Sequence, residues 1–126
     1  MIAADTSTWV AFLEGDSGDD VRILTEALQN RQVVMAPAVL TELLSDPGLT
    51  TSASRTLSAV PLIETEPGYW QRAGRLRARV LAKSRKARRG DALIAQSCLD
   101  GAVSLITRDR DFRAFAELAG LQLALP

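Results

Sequence analysis

A regular alternation of short apolar runs with segments of helical periodicity constrains the fold of this chain most. The apolar runs that read as strands lie at 2–4, 32–37, 60–66, 102–107 and 121–125. They are mainly apolar blocks and lack the alternation of polar and apolar residues that half-exposed strands show. Parallel strands of this kind need helical crossovers between them. The sequence therefore predicts an α/β protein, a three-layer α/β/α sandwich around a central, mainly parallel sheet.

The segments between these runs have the periodicity of amphipathic helices. In the longest of them, Tyr69, Ala73, Leu76 and Val80 recur three to four residues apart. The predicted helices lie at 7–15, 16–30, 38–45, 51–60, 67–84, 90–101 and 110–120. Gly101 is expected to cap the end of its helix. With 126 residues and no repeat or linker, the chain is expected to form one domain, 1–126.

Composition excludes several classes of function. The chain has no histidine, which rules out histidine-based triads and most zinc sites. Its one cysteine, Cys98, lies on an apolar helix face, has no histidine to activate it and reads as a buried residue. Acidic and basic residues number 15 each, so net charge identifies no partner. No apolar run is long enough for a signal peptide or membrane span, and a cytoplasmic protein is expected.

Acidic residues follow two of the predicted strands and occupy two of the helices. Asp5 ends the first strand, and Asp109 follows the strand at 102–107. Asp91 falls in the first turn of its helix, on the side of Ile94 and Cys98. Because sites in open parallel sheets form beyond the carboxyl ends of the strands, these acids are expected to converge there. Glu42 flanks the apolar stripe of the helix at 38–45 and can add a fourth carboxylate.

Each of these acids also has a local structural explanation. Asp5 suits the N-cap of the helix after it, and one of Asp109 and Asp111 suits the cap of the last helix. Asp91 suits the positive end of a helix dipole, and Glu42 suits a solvated helix face. Taken together, however, four carboxylates in one crevice repel each other unless a cation is present. Oxygen ligands alone favour Mg²⁺ or Mn²⁺, and such a site suits phosphodiester hydrolysis by an activated water.

Four stretches carry a resemblance to a known family. They are "DTSTWV" at the N-terminus, "APAVLTELLS" in the first third, "RRGDALIAQSC" in the last third and "LITRDRDF" before the final helix. In this order, and over nearly the whole chain, they resemble the PIN-domain ribonucleases, specifically the VapC-type toxins of bacterial toxin–antitoxin pairs. The resemblance implies a PIN-like fold, a metal-dependent endoribonuclease, a homodimer, and inhibition by a cognate VapB-like antitoxin.

The resemblance also implies roles for individual residues. The catalytic and metal-binding acids would be Asp5, Glu42, Asp91 and Asp109, with Asp111 as a further candidate for the fourth position. The hydroxyls of Thr6, Ser7 and Thr107 would orient a carboxylate or a metal-bound water. The cofactor would be Mg²⁺ or Mn²⁺, and the products would carry 5′-phosphate and 3′-hydroxyl ends.

A basic stretch precedes Asp91. Nine of the 15 basic residues lie between Arg72 and Arg89, and only Gly90 separates the stretch from Asp91. An isolated stretch of this kind is a solvated helix face, but its position next to a metal-binding carboxylate favours contact with the phosphates of an RNA substrate. Docking of an acidic antitoxin segment is a competing use. The residues expected to bind RNA are Arg72, Arg75, Arg79, Lys83, Arg85, Lys86, Arg88 and Arg89.

Two other functions stay open at this stage. One is an aspartyl-phosphate phosphatase with Asp5 as nucleophile, although Ser7 stands where such enzymes usually have a second acid. The other is a PIN-like module that binds RNA or protein without catalysis.

Overall fold

The N-terminal strand lies beside a strand from the last quarter of the chain. In the computed structural model, which describes residues 1–125, β1 (Ile2–Ala4) pairs in parallel with β2 (Ser104–Ile106). Single parallel bridges extend the sheet on both sides, from Ile2 to Val33, from Met35 to Leu62 and from Leu105 to Leu123. The strands predicted at 32–37, 60–66 and 121–125 are therefore present as bridges only. Every one of these pairings is parallel, as predicted.

Both faces of the sheet are covered. Consecutive residues of a strand point to opposite faces, and Ala3, Ala4, Leu105 and Ile106 are all fully buried. The helix α2 (Asp19–Gln29) and the helix α6 (Arg89–Gly101) both pack against β2. The α/β fold with a buried parallel sheet is thus confirmed, and the apolar strand runs are explained by burial on both sides.

The helices occupy the predicted segments with small changes at their ends. Besides α2 and α6, they are α1 (Thr6–Leu13), α3 (Pro37–Leu44), α4 (Thr51–Ser58), α5 (Tyr69–Ala82) and α7 (Arg113–Ala119). The helix predicted at 110–120 begins as a separate 3₁₀ turn, Arg110–Phe112. None of the helices within residues 1–125 combines the length and the apolar composition of a membrane span.

The predicted role of Gly101 as a helix cap is wrong. Gly101 is the last residue of α6, and Ala102 takes the left-handed conformation after it, with φ of 52°. A Cβ at Gly101 would lie 3.1 Å from Cγ2 of Ile63. Close packing of the end of α6 against Ile63 therefore explains why a residue without a side chain is found at position 101. The left-handed residue that ends the helix is Ala102.

Candidate active site

Asp5 joins the end of β1 to the start of α1. Its carboxylate accepts a hydrogen bond from the Thr8 backbone N–H at 3.1 Å and so caps α1. The same carboxylate accepts hydrogen bonds from the Ser7 hydroxyl at 2.8 and 2.9 Å and from the Thr107 hydroxyl at 2.6 Å. Asp5 is only 3% exposed. The helix cap predicted for Asp5 is confirmed, and capping does not remove the side chain from the end of the sheet.

Burial dominates the electrostatics of Asp5. Loss of solvent raises the pKa of its carboxyl, and the nearby charge of Asp109 adds to this. The hydrogen bonds from Thr107, Thr8 and Ser7 act in the opposite direction, since they stabilise the ionised form. The net effect is a raised pKa, so the carboxylate is held in place but its charge is only partly compensated.

Thr107 links the ends of the two paired strands. Its hydroxyl donates to Asp5 and also accepts a hydrogen bond from the backbone N–H of Asp109 at 2.9 Å. Asp109 in turn accepts a hydrogen bond from the backbone N–H of Asp111 at 2.9 Å and caps the 3₁₀ turn. Because β1 and β2 are parallel neighbours, the acids that follow them lie at the same edge of the sheet.

Three carboxylates converge at this edge. Oxygens of Asp91, Asp109 and Asp111 all lie within 4.8 Å of one another. Burial raises the pKa of Asp91 to about 6, with further contributions from the charges of Asp109, Asp111 and Asp5 and an opposing one from Arg88. Its Oδ2 is buried and has no hydrogen-bond partner within residues 1–125. An unsatisfied buried carboxylate oxygen among like charges is a position that a cation would stabilise.

The donor set fits a hard divalent cation. All three groups are carboxylates, which are the ligands that Mg²⁺ and Mn²⁺ prefer. Among residues 1–125, the group includes no cysteine. Cys98 is buried elsewhere on α6, and burial raises the pKa of its thiol to about 12. The three aspartates with the unsatisfied oxygen of Asp91 are therefore suited to hold one such ion.

Glu42 lies at the edge of this group of acids. It is exposed on α3, and its Oε2 accepts a hydrogen bond from the Thr6 hydroxyl at 2.8 Å. A Cβ added at Gly90, one residue before Asp91, would lie 2.9 Å from Oε1 of Glu42. The Glu42 carboxylate thus lies where α1, α3 and α6 meet. It accepts a hydrogen bond from Thr6, which follows Asp5, and lies close to Gly90, which precedes Asp91. It does not belong to the group of oxygens within 4.8 Å of one another.

The loop before α6 brings positive charge to the acidic group. Lys86 lies 3.2 Å and Arg88 lies 3.8 Å from Oδ2 of Asp111. Both basic side chains are more than half exposed, so each pair is weak and can exchange partners. Of the residues expected to bind RNA, these two contact the acids directly.

The other six residues expected to bind RNA divide into two sets. Three are engaged elsewhere: Arg72 pairs with Asp100, Arg79 donates to the Leu118 carbonyl, and Arg85 pairs with Glu117 at 2.7 Å. Asp100 is nine residues beyond Asp91 on α6, about 14 Å along the helix axis. Arg75, Lys83 and Arg89 are exposed. Arg72 and Arg79 are thus used within the fold, whereas Arg75 on α5 and the basic residues towards the loop keep exposed charge.

The sequence reasoning missed one ion pair that supports the site. Arg108, between Thr107 and Asp109, binds Asp20 with Nε to Oδ2 at 2.8 Å and Nη2 to Oδ1 at 3.0 Å. Asp20 is 5% exposed and also accepts a hydrogen bond from the Thr8 hydroxyl at 3.0 Å. The hydrogen bond from Arg108 is the main cause of the lowered pKa of Asp20. The partners are 88 positions apart in the sequence, which explains why no local pattern predicted the pair.

Comparison with known proteins identifies the family of this chain. The family model described as PIN domain matches residues 2–118. No curated protein matches the sequence.

Three of the solved structures with a similar fold show how much of the chain is shared. VapBC-5 from Mycobacterium tuberculosis, described as a member of the VapBC family of toxin–antitoxin systems, has a TM-score of 0.67 and 24% identity over 97% of this chain and 95% of that one. VapBC2 from Rickettsia felis, bound to a DNA fragment from their promoter, has a TM-score of 0.73 and 20% identity over 98% and 97%. FitAcB from Neisseria gonorrhoeae has a TM-score of 0.68 and 17% identity over 98% and 96%.

Because these structures are at most 24% identical in sequence to this chain, they show only that the fold is shared. The family is shown by the PIN domain model, which matches the sequence over residues 2–118. The match covers all the acids at the carboxyl edge of the sheet, from Asp5 to Asp111. The chain belongs to the PIN domain family.

Proposed function

We propose that this protein is a VapC-type toxin, a Mg²⁺- or Mn²⁺-dependent endoribonuclease. The observation that carries the proposal is the group of Asp91, Asp109 and Asp111 at the carboxyl edge of the sheet, whose carboxylates each place an oxygen within 4.8 Å of the others and which includes the buried, unsatisfied Oδ2 of Asp91. The similar folds of VapBC structures support the toxin assignment, and the PIN domain match supports a nuclease.

The acids divide the work between holding an ion and shaping the site. Asp91, Asp109 and Asp111 would hold the metal, and Asp5 is linked to Asp109 through the Thr107 hydroxyl. When bound, the ion supplies an activated water and neutralises charge on the scissile phosphate. Asp5 is fixed by Thr107, Ser7 and α1, so it can orient a neighbouring ligand without moving.

Asp109 and Asp111 have different surroundings although both belong to the acidic group. Asp109 is held by the backbone at the end of β2, where its oxygen caps the 3₁₀ turn. Asp111 faces Lys86 and Arg88. We assign Asp109 as the fourth catalytic acid on this basis, with Asp111 as the acid that links the group to the basic loop.

Glu42 and Thr6 would contact the substrate side of the site. Glu42 is exposed, and its hydrogen bond from Thr6 leaves one carboxylate oxygen for a water molecule or an RNA hydroxyl. Lys86 and Arg88 would leave Asp111 and bind RNA phosphates instead. The exposed side chains of Arg89, Lys83 and Arg75 would bind further phosphates. Arg72, Arg79 and Arg85, which are engaged within the fold, would contribute less.

A groove beside Glu42 suits the antitoxin. It lies between α1, α3 and α4 and is lined by apolar side chains that include Val10, Leu13 and Leu49, with Glu42 at its wall. An apolar segment of a VapB-like partner could fill this groove and place a basic side chain on Glu42. Occupation of the groove would then block access to the acids.

An exposed aromatic residue supports a homodimer. Trp70 on α5 is 67% exposed, and Leu81, three turns further along the same helix, is 44% exposed. Trp70 packs edge-on against Tyr69, with ring centroids 5.0 Å apart. Exposure of a large apolar side chain to water is unfavourable, and aromatic side chains are enriched in protein interfaces. We therefore propose that this side of α5 contacts a second copy of the chain.

The test is cleavage of total RNA by purified, antitoxin-free protein with Mg²⁺, with Mn²⁺ and with EDTA. We expect discrete products that need metal and disappear in Asp91→Asn. The matched control is Glu64→Gln, which neutralises an exposed carboxylate outside the site. Metal-dependent products that persist unchanged in Asp91→Asn would reject the assignment of the site. Metal-independent binding of RNA without cleavage by folded protein would favour a non-catalytic binding module.

A further inference from the structure

A second group of arginines lies beside Asp109, outside the basic stretch at 72–89. Arg110 and Arg113 line an open cavity of about 250 Å³ whose walls include Thr107 and Asp109. Leu123 and Leu125 form its apolar part. The cavity therefore connects an acid of the proposed active site directly to two cationic side chains.

The spacing of the two arginines explains why they share this cavity. Arg110 begins the 3₁₀ turn and Arg113 follows three residues later, at the start of α7. Residues i and i+3 lie above each other in a 3₁₀ turn, whereas neighbours in sequence point about 120° apart. Asp111 is thereby directed towards Lys86 and Arg88, and the arginines project from a different side of the same turn.

The charge of these arginines is not balanced within the fold. Arg110 and Arg113 are exposed, and neither side chain has a hydrogen-bond or ion-pair partner among residues 1–125. The third arginine of the cavity, Arg108, is already paired with the buried Asp20. The cavity thus presents two guanidinium groups without ion-pair partners above an apolar surface, with the exposed carboxylate of Asp19 and the carboxylate of Asp109 also in its wall. An anion entering the cavity would contact the guanidinium groups, since these carboxylates repel it.

We infer that Arg110 and Arg113 bind a backbone phosphate of the RNA next to the cleaved bond, with the adjoining sugar and base against Leu123 and Leu125. The inference rests on the proposed function, because the nucleotide enters the site beside Asp109. A guanidinium group can donate two parallel hydrogen bonds to the oxygens of one phosphate. Such contacts fix the position of the RNA backbone without reading its sequence. With Lys86 and Arg88 on another side of the acids, the RNA backbone crosses the site between two basic surfaces.

The experiment measures binding separately from cleavage. A fluorescent 12-nucleotide oligouridine is titrated with the full chain in EDTA, at several salt concentrations, and its anisotropy is followed. We expect Arg110→Gln/Arg113→Gln to weaken binding several-fold and to lower the slope of log affinity against log salt by about 0.7 for each phosphate that the variant no longer binds. The matched control is Arg55→Gln, an exposed arginine on α4. Cleavage with metal is measured on the same proteins.

Each outcome separates this inference from the proposed nuclease activity. Wild-type protein that cleaves RNA, with a double variant that binds and cleaves equally well, would overturn the inference and leave the nuclease assignment standing. Weaker binding in the double variant, from a wild type that never cleaves, would support the surface and count against the nuclease. Unchanged oligouridine binding with weakened binding of a polyglutamate peptide would assign the arginines to an acidic protein partner and overturn the inference.

Discussion

Arg108 and Asp20 form a two-contact ion pair, at 2.8 and 3.0 Å, that fastens the segment after β2 to the first turn of α2. Asp20 is almost fully buried, so removing one partner leaves a polar group without compensation. We expect Arg108→Gln to lower the free energy of unfolding by about 1–3 kcal/mol in urea denaturation. Arg22→Gln, which breaks only exposed pairs with Asp19 and Glu26, should change it by about 0.5 kcal/mol or less. Equal effects of the two substitutions would contradict this account.

The hydroxyl of Thr107 positions two of the acids. It donates to Asp5 at 2.6 Å and accepts from the backbone N–H of Asp109 at 2.9 Å. We expect Thr107→Val to reduce cleavage by about tenfold to a hundredfold, because small displacements at a catalytic centre are costly. Thr107→Ser keeps the hydroxyl and should keep most of the activity. The proposed positioning role fails if valine and serine variants cleave at the same rate.

Two glycines in helices offer a matched pair of substitutions. A Cβ at Gly90 would displace the Glu42 carboxylate, whereas a Cβ at Gly74 on α5 would meet no atom within 4 Å. Gly74→Ala should raise the free energy of unfolding by about 0.5–1 kcal/mol and leave cleavage unchanged. Gly90→Ala should fold normally, because the end of a flexible side chain can move, but should slow cleavage by about tenfold or more. Normal cleavage by Gly90→Ala would show that the position of Glu42 is not needed.

Asp91 should make the metal-free protein sensitive to pH. Its pKa is raised to about 6 in the folded state from an ordinary 3.8, so the folded protein binds an extra proton between these values. The free energy of unfolding in EDTA should therefore fall as the pH rises from about 4 to about 6. Partial exposure reduces the size of this effect to on the order of 1 kcal/mol.

Comparison with Asp91→Asn isolates this contribution. The variant should exceed the wild type in stability by more at about pH 7 than at about pH 4.5, when both are denatured in EDTA. Adding Mg²⁺ or Mn²⁺ at pH 7 should stabilise the wild type and leave the variant nearly unaffected. A stability difference that does not change with pH would show that the Asp91 carboxyl titrates normally.

The parallel sheet and its edge were predictable because they follow from periodicity and from one rule of topology. Apolar runs at 2–4 and 102–107 indicated strands buried on both faces, and parallel neighbours place Asp5 and Asp109 at the same edge. Their roles as metal ligands stay predictions. The sequence also indicated Asp91 on the buried side of α6, and Cys98 is buried on the same helix as expected.

The remaining features depend on contacts between residues far apart in the chain. Arg108 and Asp20 look like an isolated basic residue and a helix-dipole acid until the fold brings them together. Gly101 looked like a cap because its contact with Ile63 is not visible in a local pattern. For the basic stripe on α5, whose binding of RNA stays a prediction, no local pattern shows that Arg72 and Arg79 have partners on other helices, Asp100 and the Leu118 carbonyl.

The hydrogen bonds of Asp5 have a consequence for how the short sheet folds. The ladder between β1 and β2 has only three residue pairs, which is little to distinguish one strand alignment from another. A shift of one residue would turn Asp5 to the opposite face, away from the Thr107 hydroxyl. The carboxylate would then keep its local bonds from Ser7 and Thr8 but lose its hydrogen bond from the end of the neighbouring strand. The hydrogen bond between Thr107 and Asp5 thus favours the correct alignment of the two strands. The sheet and this part of the active site are therefore expected to form together.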